Sequence, residues 1–128
     1  MDALKVGMTH TLEWVVDEKL TTLRGGYRVF STPSMTLFVE MACHYLVAPH
    51  LKPGQGQVGL VVHIRHLAPT PMGKRVRAEV ELTGIDRRRL IFRVRVFDDV
   101  EQVGEAEHER FVIDEAKYIE RLEKKLRA

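Results

Sequence analysis

The sequence predicts an α+β fold in which an antiparallel sheet curls around one buried helix. A long apolar segment that begins near residue 33 is helical in character, and the segments after it alternate between apolar and polar residues, which is the period of half-buried strands. The chain has 128 residues, of which 45% are hydrophobic. We therefore expect residues 1–128 to form a single domain with one core.

The first predicted element is a strand near the start of the chain. Leu12, Trp14 and Val16 alternate with polar residues, and this period of two is typical of a strand with one buried face. A polar stretch over residues 17–24 and a glycine pair then lead toward the helix.

The central helix is predicted over residues 33–47, where apolar side chains leave little of the circumference polar. That pattern is typical of a buried helix. Thr32 before Pro33 is a helix-start signal, with Thr as the N-cap and Pro at the first helical position, where a missing N–H costs nothing. Pro49 and the turn at residues 52–54 end the helix.

One narrow polar row runs along this helix. Thr36, Glu40 and His44 have the spacing i, i+4, i+8 and so share a face. A carboxylate on an otherwise apolar helix has two interpretations, a solvated surface residue or a chemical group. The sequence of the helix leaves both open.

Four strands are predicted after the helix. The turns at residues 86–89 and 98–99 separate the last three, which indicates an antiparallel meander. The apolar faces of the first three strands are Val58, Leu60, Val62 and Ile64, then Val76, Ala78, Val80 and Leu82, then Leu90, Phe92, Val94 and Val96, and the fourth strand covers residues 104–113.

A final helix follows, capped by Asp114, with Ile119, Leu122 and Leu126 on one face; we expect it to cover the sheet, with an interaction surface as the alternative. One strand, a buried helix and then a curled sheet is the order of a hot-dog fold, an antiparallel β-sheet wrapped around a central α-helix, here with a C-terminal helix. A chain of this size leaves a sheet edge and part of the helix exposed. That exposure favours a homodimer.

Composition excludes several classes of protein. The formal net charge is +2 and the pI is about 8.8. The protein is therefore only mildly basic and does not have the strongly positive surface expected of a nucleic-acid binder. No apolar run approaches the ~20 residues of a membrane span, so we expect no nucleic acid and no membrane as partner. Cys43 is the only cysteine, which excludes an internal disulfide and fits a cytoplasmic location.

Three side chains suit acyl transfer. Glu40 offers a carboxylate as nucleophile or general base, and the sequence leaves both roles open. His66 ends the strand on the face of Val62 and Ile64, where an imidazole can orient or relay protons. Thr32 offers a hydroxyl at the helix start, although Thr-Pro starts are often only caps and a strand-end histidine is often structural.

Other motifs fit binding sites poorly. Residues 54–59 spell GxGxxG, but a dinucleotide site needs a strand before the motif and a helix after it. His63 and His66 point to opposite faces of a strand, so they cannot chelate one metal and no metal is predicted. Arg87-Arg88-Arg89 is interpreted as a solvated turn, with a contact to a CoA phosphate as the alternative.

Four stretches resemble the hot-dog thioesterases related to fluoroacetyl-CoA thioesterase. The resemblance spans nearly the whole chain and implies a dimeric hydrolase of acyl-CoA thioesters. We expect no organic cofactor. The family's catalytic threonine, glutamate and histidine fall on Thr32, Glu40 and His66, and the glycine beside the substrate carbonyl falls on Gly59. The four stretches are Phe38 to Cys43, Ala48 to Gly54, His66 to Gly73 and His108 to Arg110.

The segment between the first strand and Thr32 is shorter here than in the fluoroacetyl-specific enzyme, whose extra residues help cover its pocket. We therefore expect hydrolysis of small acyl-CoA thioesters without assigning fluoroacetyl specificity. Two alternatives remain: a non-catalytic module that binds acyl-CoA, and an enoyl-CoA hydratase or dehydratase. The latter usually carries its acid and histidine in one loop-helix motif, which this sequence lacks.

Overall fold

A computed structural model describes all 128 residues and shows a five-stranded antiparallel sheet around one long helix. The strand order is β1-β5-β6-β7-β4, and β2 and β3 form a separate hairpin. The predicted α+β architecture and the meander are therefore present. The elements are β1 (Thr9–Val15), β2 (Thr21–Arg24), β3 (Tyr27–Phe30), α1 (Thr32–Val47), β4 (Gln55–His66), β5 (Arg75–Asp86), β6 (Arg89–Phe97), β7 (Gln102–Asp114) and α2 (Glu115–Arg127), with 3₁₀ turns at Glu18–Leu20 and Ala48–His50.

The core lies between α1 and the concave face of the sheet. The predicted inward faces of β5 and β6 are correct, because each of their apolar residues at alternate positions is at most 2% exposed. From α1, Phe38, Val39, Ala42 and Cys43 are fully buried against them. Leu37 and Tyr45 of the same helix are 47% and 45% exposed, so α1 is buried on one side only.

The N-cap of α1 is Ser31, and the prediction that Thr32 caps the helix is wrong. The Ser31 side chain accepts a hydrogen bond from the Ser34 backbone N–H at 3.2 Å. Thr32 is the first helical residue and Pro33 the second. Both positions tolerate proline, because neither N–H has a partner within the helix.

A β-bulge at Leu60 changes which residues of β4 face the helix. The pairing shifts between Gly59, opposite Arg110, and Val61, opposite Glu109. The predicted continuous face from Val58 to Ile64 is therefore wrong, because a bulge inserts one residue and reverses the alternation. Gly59 faces inward before the bulge, and Leu60 is 52% exposed.

The polar stretch before α1 forms a hairpin that the sequence reading missed. Strands β2 and β3 pair around Gly25 and Gly26, whose φ angles of 55° and 82° lie in the left-handed region that favours glycine. Backbone bonds from Phe30 N–H to the Thr70 carbonyl and from Ser31 N–H to the Leu20 carbonyl place the hairpin beside the start of α1.

Helix α2 begins as predicted but does not cover the sheet. Asp114 caps it by accepting hydrogen bonds from the backbone N–H groups of residues 116 and 117. Its apolar residues Ile119, Leu122 and Leu126 remain 50%, 45% and 84% exposed. The helix continues from β7 without a reversing turn, so it does not fold back over the sheet. Neither α1 nor α2 has the length and apolar character that crossing a membrane requires.

Candidate active site

Thr32 and His66, predicted as site residues from distant parts of the sequence, are in direct contact. The Thr32 Oγ1 atom lies 2.9 Å from His66 Nδ1. Because Ser31 caps the helix, the Thr32 hydroxyl is not needed by the backbone and is available for this bond. The contact joins the start of α1 to the end of β4.

The imidazole of His66 is half-buried, and its surroundings favour the neutral form. Burial lowers its pKa below the usual 6.5, so the ring is neutral at pH 7, with one nitrogen as donor and the other as acceptor. Its Nε2 atom is buried and has no hydrogen-bond partner in the chain. The accessible side of the ring is instead the Nδ1 side, where Thr32 and His66 line one cavity.

A close approach of α1 to β7 makes the Thr32 contact possible. Gly104 pairs with His66 across the sheet, and a Cβ atom on Gly104 would lie 2.5 Å from Met35 Sδ. Only glycine leaves room for Met35 at this point. The first turn of the helix is thereby held close to the end of β4.

Glu40 lies against the backbone of Gly59. A Cβ atom built on Gly59 would be 3.0 Å from Glu40 Oε1. Within the chain, the Glu40 side chain makes no hydrogen bond and has no cationic nitrogen within 4.0 Å. Its carboxylate is therefore uncommitted, and the glycine leaves open space beside it.

The predicted site residues thus form two groups. Thr32 and His66 form one, Glu40 and Gly59 the other, and no hydrogen bond joins the groups. Thr32 and Glu40 are eight residues apart on α1, or ~12 Å along the axis. They do not touch directly, so a bound substrate or a residue of a partner chain would be needed to connect them.

His108 and Arg110 border the second group, and the residue-level sequence analysis missed them. They are 0% and 6% exposed. The His108 Cε1 and Arg110 Nη1 atoms lie 3.5 Å and 3.8 Å from the position of a Gly59 Cβ atom. A signal was present, because both residues continue the inward alternation of Ala106 and Val112 on β7.

A hydrogen-bond network holds Arg110 in place. Its Nε–H donates to Gln57 Oε1 at 2.7 Å, and the Gln57 Nε2–H donates to the carbonyl of His44 at 3.0 Å. Arg110 Nη1 lies 3.1 Å from His108 Nε2. The cation beside Glu40 is therefore tied to both β4 and α1.

Cys43 lies near this network but is not a reactive thiol. It is fully buried, and burial raises the pKa of the thiol above its usual value. A thiol in that state carries almost no thiolate at pH 7. The interpretation of Cys43 as a core residue is consistent with both observations.

The fold has solved counterparts. A hot-dog-like protein from Thermanaerovibrio acidaminovorans is 18% identical and aligns with a TM-score of 0.87 over 94% of this chain and 91% of its own. At that identity the likeness shows the fold alone. A hot-dog fold that carries a carboxylate beside an inward glycine and, apart from these, a hydroxyl–imidazole pair fits the class of hot-dog thioesterases.

Three comparisons identify the family within that class. The family described as fluoroacetyl-CoA-specific thioesterase matches residues 8–116. The fluoroacetyl-CoA thioesterase of Streptantibioticus cattleyicolor is 35% identical over 127 residues, covering 91% of each chain. A solved structure of a fluoroacetyl-CoA thioesterase is 33% identical, with a TM-score of 0.90 over 97% of this chain and 98% of that one.

The chain belongs to the fluoroacetyl-CoA-specific thioesterase family. The predicted resemblance, the hot-dog fold and the enzyme class of acyl-CoA thioesterase are therefore confirmed.

Proposed function

We propose that residues 1–128 form a single catalytic domain that hydrolyses CoA thioesters of small acyl groups, without a metal or an organic cofactor, as a cytoplasmic homodimer. One observation carries the catalytic part of the proposal. The uncommitted Glu40 carboxylate lies against the backbone of Gly59, and a hydrogen-bonded Thr32–His66 pair supplies a proton-transfer group.

Glu40 acts on the thioester carbonyl in one of two ways. As a nucleophile it forms an acyl-enzyme anhydride with loss of the CoA thiolate, and water then cleaves the anhydride to the free acid. As a general base it removes a proton from the water that attacks the carbonyl directly. Both routes consume one water and release the acid and CoA.

In the proposed homodimer, the Thr32–His66 pair of one chain serves the thioester that meets Glu40 and Gly59 of the other, because within one chain the two groups are ~12 Å apart along α1. The pair moves and positions protons in either route. A neutral imidazole accepts a proton from the attacking water and, as the imidazolium, passes it to the leaving thiolate. The Thr32 hydroxyl contacts the ring at Nδ1, and this exposed hydrogen-bonded pair is the side from which protons reach the reacting groups.

Gly59 and Arg110 stabilise the oxyanion that forms when the carbonyl is attacked. The absence of a side chain at Gly59 lets the carbonyl oxygen approach the backbone. The Arg110 guanidinium supplies a positive charge nearby. Preorganised donors of this kind contribute about 3 kcal/mol to lowering such barriers.

The restriction to small acyl groups follows from the packing around the site. Met35 and Phe38 of α1 are fully buried in the core, so bulky side chains fill the interior of the chain behind the polar row of the helix. The hairpin formed by β2 and β3 lies beside the Thr32 end. A long acyl tail therefore has no buried channel into the core of one chain.

The homodimer is supported by surfaces that one chain leaves uncovered. Strand β4 forms an edge of the sheet, and an unpaired edge is a template for pairing with another chain. Leu60 on that strand and Leu37 and Tyr45 on α1 are 52%, 47% and 45% exposed. A second copy would cover these apolar groups.

Free-thiol release from a panel of acyl-CoA substrates tests the activity. We expect turnover of acetyl-CoA and other short or small-substituent thioesters and little turnover of palmitoyl-CoA. In Glu40→Gln the volume is kept and the charge is lost, so kcat should fall by ~10²-fold or more. Glu13→Gln, on the exposed face of β1, is the matched control.

The same assay separates the alternatives. Wild-type turnover in a folded Glu40→Gln protein would end the assignment of Glu40, and equal turnover of palmitoyl-CoA would end the size restriction. Acyl-CoA binding without thiol release would favour a binding module. Loss of enoyl absorbance without thiol release would favour a hydratase.

A further inference from the structure

His108 is fully buried, and both of its ring nitrogens are engaged. Nδ1 lies 2.7 Å from the Val61 carbonyl oxygen, and Nε2 lies 3.1 Å from Arg110 Nη1. A carbonyl only accepts, so Nδ1 carries the proton. An arginine only donates, so Nε2 must be the acceptor. The two partners therefore fix the neutral Nδ1–H tautomer.

The two partners of His108 lie on either side of the β4 bulge. Val61 is the first residue after the bulge, where pairing with β7 resumes. Arg110 pairs with Gly59, the last residue before it. His108 thus connects the strand that carries Gly59 to the cation beside Glu40.

Arg110 has unused hydrogen-bonding capacity. Of the five guanidinium N–H groups of an arginine, the side chain uses one with Gln57 and one with His108. The others make no hydrogen bond within the chain, although the residue is only 6% exposed. A buried cation that is held by two neighbours and leaves donors unpaired is preorganised to meet an anionic oxygen.

We infer that His108 is a positioning residue for the thioesterase reaction: it holds Arg110 beside Glu40 and Gly59 by accepting a hydrogen bond at Nε2. The inference rests on the proposed function. It assigns His108 no contact with the substrate. Its effect passes through Arg110, because misplacing a catalytic group by about 1 Å can reduce a rate by ~100-fold.

Two substitutions separate the two hydrogen bonds of His108. His108→Asn retains a donor near the Nδ1 position for the Val61 carbonyl but loses the acceptor for Arg110. His108→Gln reaches further and retains an acceptor near the Nε2 position. Each variant loses one buried hydrogen bond, so a purely structural role would lower both thermal midpoints and leave kcat per folded molecule unchanged.

The experiment measures kcat, KM and thermal midpoint for both variants with the best short acyl-CoA of the panel. We expect kcat to fall by roughly 10-fold or more in His108→Asn and by clearly less in His108→Gln. In an Arg110→Met background, His108→Asn should have no further effect on kcat. His63→Asn, on the exposed face of β4, is the histidine control and should match wild type.

Equal kcat losses in Asn and Gln, or an undiminished His108→Asn effect in the Arg110→Met background, would overturn the inference. If His108→Asn does not fold, a 10-fold loss in His108→Gln would overturn it and a smaller loss would support it. These failures differ from that of the proposed function. Glu40→Gln would still be inactive if only His108 is wrongly assigned, whereas absence of wild-type thiol release would end both.

Discussion

At the residue scale, Ser31 and Thr32 are neighbours with different tasks. Ser31 caps α1 through the Ser34 N–H, and Thr32 contacts the imidazole of His66. A Thr-Pro pair is a common helix start, which led the sequence analysis to assign the cap to Thr32. Only the backbone geometry shows that the helix begins one residue earlier.

This division predicts opposite effects for two substitutions. Ser31→Ala should lower stability by about 1 kcal/mol through loss of the cap with little change in kcat. Thr32→Val keeps the shape but removes the hydroxyl, so kcat should fall by roughly 10-fold with a smaller loss of stability. Thermal unfolding and thiol-release kinetics on the same samples measure both quantities. A stability loss confined to Thr32→Val would instead identify Thr32 as the cap.

At the scale of elements, the contact between α1 and β7 sets the position of the Thr32–His66 pair. The residue that permits it is Gly104, far from both in sequence. Glycine in a strand often marks a close approach of another segment. Here the segment is the first turn of α1, through Met35.

Gly104→Ala should therefore reduce both stability and activity. The added methyl would lie 2.5 Å from Met35 Sδ, so the buried Met35 side chain must shift, and any part of the shift taken up by the first turn of α1 lengthens the Thr32–His66 contact. Overpacking of this kind costs about 1–3 kcal/mol. The thermal midpoint and kcat of the variant measure the two effects.

The Met35→Ala background provides the control. Removing the long side chain makes room for the methyl group, so Gly104→Ala should cost little or even stabilise there. Equal losses in both backgrounds would show that the contact with Met35 is not the cause.

At the scale of the whole molecule, the exposed edge strand and the exposed side of α1 predict association. Light scattering at micromolar concentration should give twice the 14.7 kDa mass of one chain. Leu37→Glu and Leu60→Glu place charges on the uncovered apolar surface and should shift the mass toward the monomer. Val100→Glu is the control, because Val100 lies on a turn outside this surface and is 85% exposed. A monomeric wild-type protein would contradict the proposed dimer.

The lowered pKa values of three histidines predict how the stability of the whole molecule depends on pH. Burial lowers the pKa values of His44, His66 and His108 below 6.5. Below pH 6.5 the unfolded chain binds protons that the folded chain does not, so the free energy of unfolding should fall as the pH decreases from 6.5. Above pH 7 these residues should contribute no pH dependence.

Thermal midpoints between pH 5 and pH 8 measure this effect. The fully buried His108 should contribute to the slope, so His108→Gln should flatten the curve relative to wild type. The exposed control His63→Asn should leave the slope unchanged. A wild-type midpoint that rises on acidification from pH 7 to pH 5.5 would contradict the sign.

The sequence by itself determined the fold class, the family and most of the inward faces. Period-two alternation in β5 and β6 is set by local geometry and one buried face, so it can be read without the structure. Four matching stretches in the same order identified the thioesterase family. The same matches placed Thr32, Glu40, His66 and Gly59 as site residues, whose catalytic roles remain a proposal.

Only the tertiary structure decided which of these residues meet. The β-bulge at Leu60 turns Gly59 toward Glu40, and a bulge depends on the pairing partner more than on the strand's own residues. The contact of Thr32 with His66 depends on Gly104, and the exposure of α2 depends on the direction in which β7 ends. Each of these three features depends on how segments distant in sequence pack against one another. Local sequence patterns do not encode the distances that this packing sets.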